Sequence, residues 1–215
     1  MCDMGDVLDI HITKTKSNKI ECFYKKAIAE LISFYNINWI ENTPKVYLAN
    51  SRAEFNMLCG YETDQWMVGK ALDYNKLLLF SPESYEKESC HKYSDEEYYY
   101  LLKHELSHLF YSIFSKGKGS VWLDEGFAIY VSGELAKKKR PKVLKNFLQY
   151  YSHIDQGVYA ESGFVVECLI NRYGKGKVLS FLKNLPKVQS EKDFREIFEK
   201  YFNIGLDYKS LETLL

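Results

Sequence analysis

Residues 94–115 read SDEEYYYLLKHELSHLFYSIFS. Ser94, followed three residues later by Glu97, is a capping box. Behind it Leu101, Leu102, Leu106, Leu109, Phe110, Ile113 and Phe114 recur at helical spacing, which predicts a helix running to about Ser115. Inside that helix stands His104-Glu105-Leu106-Ser107-His108. Four residues along an α-helix turn the chain through about 400°, so the two imidazoles lie one above the other and can close on a single small cation. The apolar stripe is complete without them, and the core therefore does not require either histidine. Glu105 falls between the two in projection and can point at a water on the same ion without being its ligand.

Two histidines leave a catalytic zinc ion one protein ligand short, since such sites usually take three and keep a position for water. Gly117 and Gly119 break the first helix, and Ser120 is a suitable cap for a second one, expected to run to the lysines before Pro141. From His108 to the helix end is about 10 Å, and from the Ser120 cap to Glu125 about 7.5 Å, at 1.5 Å per residue. An antiparallel return would thus bring Glu125 to nearly the depth of the histidines, with Asp124 beside it. The competing reading makes both acids favourable first-turn charges at a helix N-terminus.

Working outward, the N-terminal side is mixed. Alternation over Val7–Ile12 suggests a strand, and residues 18–35 a helix opened by Asn18 with Glu21. Val46–Leu48, Trp66–Val68 and Leu77–Phe80 read as strands and Ser51–Cys59 as a short helix. On the C-terminal side helices are expected at about 142–151, 159–173, 175–184, 191–202 and 207–214, with no strand between them. The expected fold class is α+β: one domain over residues 1–215, with an α/β part to about residue 92 and a helical part from about 93 that carries the site.

The two segments His104–His108 and Trp122-Leu123-Asp124-Glu125-Gly126-Phe127-Ala128 together resemble the H-E-x-x-H and W-L-N/D-E-G-F-A signatures of the gluzincin metallopeptidases, in particular the aminopeptidase N-like and related peptidase MA families. The resemblance covers about residues 65 to 185. It implies a zincin-like metallopeptidase domain, with His104, His108 and Glu125 as zinc ligands, Glu105 as catalytic base and Asp124 orienting a ligand imidazole. Tyr159-Ala160-Glu161-Ser162-Gly163-Phe164 is similar to the family stretch whose leading tyrosine donates to the developing oxyanion, which implies that role for Tyr159; His153 is the alternative donor. Two departures stand out. The sixteen residues between His108 and Glu125 are two fewer than is usual for the aminopeptidases, and no G-x-M-E-N sequence is present to hold a free amino terminus. Leu77–Ser81 reads instead as an edge strand able to pair with an extended peptide or protein substrate, which suits an endopeptidase. The alternative is a peptidase-fold binding or regulatory module without turnover.

Composition narrows the field further. Twenty-nine basic residues balance twenty-nine acidic ones, so attraction to nucleic acid or to an anionic membrane is not expected. Five cysteines, odd in number and without a C-x-x-C pair, argue against a disulfide scaffold. Nothing near Met1 has the basic start and apolar run of a signal peptide, and no window approaches the apolar length of a membrane span, so the expectation is a reduced, cytoplasmic protein. Lys137–Arg140 reads as a solvated helix end, and Cys90-His91 as part of an exposed loop.

Overall fold

The computed structural model describes residues 17–39, 41–152 and 157–215. The strand expected at Val7–Ile12 and the candidate His153 lie outside the described residues. Helix α1 (Asn18–Tyr35) begins at Ser17, whose hydroxyl accepts from the Ile20 amide, so the cap stands one residue earlier than the Asn18 expected. Then follow β1 (Lys45–Ala49), α2 (Arg52–Cys59), β2 (Gly69–Asp73), β3 (Lys76–Phe80) and the single turn α3 (Pro82–Tyr85). The helical half comprises α4 (Asp95–Ser115), α5 (Val121–Ser132), α6 (Val158–Tyr173), α7 (Lys175–Leu182), α8 (Glu191–Phe202) and α9 (Tyr208–Glu212). The protein is thus α+β, with a small mixed sheet in front of a helical C-terminal half.

The sheet corrects two expectations. Its order is β1-β3-β2, with β3 parallel to β1 and antiparallel to β2. Leu77–Phe80 is therefore the central strand rather than an edge, and its side chains are fully buried on both faces. A run of four apolar residues with no alternation is what such a strand requires. The edge on the site's side is β2, whose GKALD sequence carries too weak an alternation to announce itself. Trp66–Val68, expected as a strand, forms the turn and extended stretch that lead into β2.

Two helices also depart from expectation. The α5 helix stops at Ser132 because Gly133 takes the left-handed conformation at φ 101°, leaving a separate 3-10 turn over Glu134–Lys137. Lys137 consequently ends no α-helix but bridges back to Glu96 and Glu97 in the first turn of α4. The helix expected at about 142–151 is only a 3-10 turn, Phe147–Gln149, and the amides of Lys145 and Asn146 just before it donate to the buried Glu161 of α6.

Helix α4 runs through the middle of the molecule. Its Tyr98 hydroxyl donates to the carbonyl of Phe80 in β3, and Ser107 bonds the Tyr35 hydroxyl of α1. One hydrophobic cluster joins α1, the sheet, α4, α5 and the C-terminal helices. At the far end Trp122, at the start of α5, packs edge-on against Phe147, Phe194 and Phe198. Each such ring contributes about 1.5–3 kcal/mol by leaving water, which anchors α5 at the end that carries Asp124 and Glu125.

Candidate metal centre

Helix α4 is capped by Ser94, whose hydroxyl accepts from the Glu97 amide, and ends where Lys116 turns left-handed at φ 52°. The chain then reverses through Gly117 and Gly119, both at positive φ, and α5 returns alongside α4. The expected convergence follows. Nε2 of His104 stands 3.4 Å from Oε2 of Glu125, and Nε2 of His108 stands 3.8 Å from its Oε1. One ligand atom from each of the three residues lies within 4.8 Å of the others. His104 and Glu125 are buried and His108 nearly so.

The other nitrogen of each imidazole is already engaged. Nδ1 of His108 is 2.7 Å from Asp124, the acid expected to orient one of the imidazoles, and Nδ1 of His104 is 2.7 Å from Glu134. Once a ring has given up its proton, a carboxylate on Nδ1 favours the tautomer in which Nε2 presents its lone pair, the arrangement that metal-bound histidines require. Glu134 is absent from the sequence reading. In a continuous helix, nine residues past Glu125, it would lie about 180° around the axis from that residue, whereas the stop at Gly133 turns it onto His104; the glycine itself was the available signal.

The chain matches no known protein family, no curated protein and no solved structure. What the site can do is therefore read from its own donors and their surroundings.

Oε2 of Glu125 is buried and receives no hydrogen bond, although His104 stands beside it. An ionised, buried oxygen left bare is costly unless a cation completes it. Burial raises the Glu125 carboxyl, but the neighbouring His108 and His104 more than offset this and hold it below the ordinary value, so it stays charged. Two imidazole nitrogens and one carboxylate oxygen, converging in a buried place, fit a divalent metal ion of the borderline kind. The group can hold a metal ion.

A cleft of about 990 Å³ opens over these residues and is lined also by β2 and Tyr159. Glu105 lines it beside the histidines and is not part of the ligand group. Burial pushes its carboxyl up, and the two imidazoles offset only part of that. Tyr159 lies at the start of α6 with its ring edge-on to Trp66, 6.2 Å between centroids. Burial, together with Glu125 and Glu105, pushes its phenol far above the ordinary value, so the hydroxyl stays protonated and able to donate. His91, from the loop read as exposed, closes part of the cleft wall by bonding the Trp66 carbonyl through Nε2 at 2.9 Å. Among the described residues no helix is long and apolar enough to cross a membrane.

Proposed function

We propose that the protein is a zinc-dependent metallopeptidase of the gluzincin type, with a zincin-like fold, that hydrolyses peptide bonds within a polypeptide chain. The single observation that carries this reading is the convergence of His104, His108 and Glu125, with a carboxylate behind each imidazole and Glu105 beside them in an open cleft. Zinc suits two imidazoles and a carboxylate, and when bound it supplies an acidified water and polarises the scissile carbonyl.

The chain's own residues do the rest. Glu105, whose carboxyl burial raises above its ordinary value, takes the proton of the attacking water and hands it to the leaving amine. Tyr159, kept protonated, donates to the oxygen that gains charge in the tetrahedral state. The edge of β2, unpaired among the described residues, takes the place of the Leu77–Ser81 edge expected from sequence and pairs through its backbone with an extended substrate, which needs no free terminus.

The test is metal analysis together with mass-spectrometric profiling of a mixed peptide library. The wild type should carry zinc and cleave at internal positions, whereas Glu105→Gln should keep the metal and lose hydrolysis. Zinc without cleavage in the wild type would favour the silent binding module, and cleavage by a clean Glu105→Gln preparation would remove the base assignment.

A further inference from the structure

Gly69 opens strand β2, and its backbone does not require glycine, because its φ lies outside the left-handed region. Glycine weakens a strand, and where its conformation does not demand it, it marks a place where something else comes very close. Here the neighbour is the candidate base. A Cβ at Gly69 would stand 2.9 Å from Cγ of Glu105, 2.9 Å from its Oε1 and 2.9 Å from Cδ1 of Leu101. Leu101 and Glu105 are one helical turn apart on α4, so the bare α-carbon of Gly69 seats in the notch between them. All three atoms belong to side chains that can swing, so an added methyl group displaces the carboxylate and the leucine before it moves either backbone.

We propose that Gly69 is the positioning residue of the general base: the side-chain-free backbone at the start of the edge strand confines the Glu105 carboxylate to the line between the metal ligands and a substrate lying along β2. This rests on the peptidase reading above. The glycine lets one stretch of backbone serve two purposes, since β2 offers a substrate an edge that is unpaired among the described residues while its face bears directly on Glu105. A larger residue would leave the strand and the ligand group in place and move the base.

The experiment is Gly69→Ala in the zinc-loaded protein. A displaced base should lower kcat about 100-fold, the scale of an ångström-sized misplacement. KM and zinc affinity should stay within about twofold, because neither the strand edge nor the ligands have moved. A second measurement needs no turnover: the melting temperature of the metal-free protein, with Gly69→Ala made in the parent and in a Glu105→Ala background. The drop in the parent should shrink once Glu105 is truncated, leaving only the part due to Leu101 Cδ1 at 2.9 Å, because residues in contact are not additive. Equal drops in both backgrounds, or a kcat matching the wild type, would overturn the positioning role. If the wild type itself cleaves no peptide, the peptidase reading fails and takes the role with it, whatever the melting temperatures show.

Discussion

Asp124 and Glu134 each hold an imidazole by Nδ1 at 2.7 Å; Asp124 comes from the first turn of α5 and Glu134 from the 3-10 turn just beyond its end. Losing either frees a ring to rotate and weakens the basicity of the nitrogen that faces Glu125. Burial lowers the proton affinity of His108, but Asp124 and Glu125 outweigh it and push the ring up to about 9 in the metal-free protein, against an ordinary value of 6.5. A folded value above the unfolded one stabilises the fold fully below pH 6.5, and this contribution is lost as the pH rises through about 9. The metal competes with that same proton, so zinc affinity should climb as the pH rises from about 6 to about 9, with proton release on binding. Asp124→Asn should bind zinc about 10–100-fold more weakly, and the climb should shift to lower pH because the carboxylate that raised His108 is gone. Calorimetric titrations in buffers of different protonation enthalpy measure both. An affinity that does not change with pH would show that His108 is not a ligand.

At the scale of elements, α5 and α6 pack so closely that glycine is needed at their crossing. A Cβ on Gly126 would lie 2.8 Å from the carbonyl oxygen of Ser162, and one on Gly163 2.5 Å from Ile129. Gly126 adjoins the proposed ligand Glu125, and Ser162 is less than one turn beyond Tyr159, so this contact sets how far the candidate metal group stands from the proposed oxyanion donor. In Gly126→Ala the obstacle is backbone, which cannot swing aside. The variant should lose about 1–3 kcal/mol of stability through overpacking and also lose turnover, as a combined denaturation and kinetic study would show. Wild-type stability in Gly126→Ala would contradict the packing.

The same scale explains what could be read in advance. The α4 helix, its Ser94 cap and the antiparallel return were legible because H-E-x-x-H phase and a glycine turn are local signals. β2 was not, since an edge strand of sequence GKALD draws its pairing from β3 and not from its own pattern. Glu134 was hidden by one misjudged helix end, and the segment about 142–151 looked helical although its amides are satisfied by a distant carboxylate, Glu161.

At the scale of the whole molecule, the two halves meet at α4. The sheet supplies the strand along the cleft, and the C-terminal aromatic cluster around Trp122 anchors the start of α5. This division was foreseeable only in outline: the α+β character followed from periodicity, whereas the order β1-β3-β2, which decides which strand borders the site, is a long-range choice. A metal held between α4 and α5 should bind the folded state alone and so tie these helices together.

The most direct test of the metal centre is a calorimetric zinc titration of the metal-free protein beside Glu125→Gln. One ion should bind per wild-type chain, with an affinity at least about tenfold weaker in the variant, since an amide oxygen replaces a charged ligand. No binding by the wild type, or equal affinity in the two proteins, would contradict a site built from His104, His108 and Glu125.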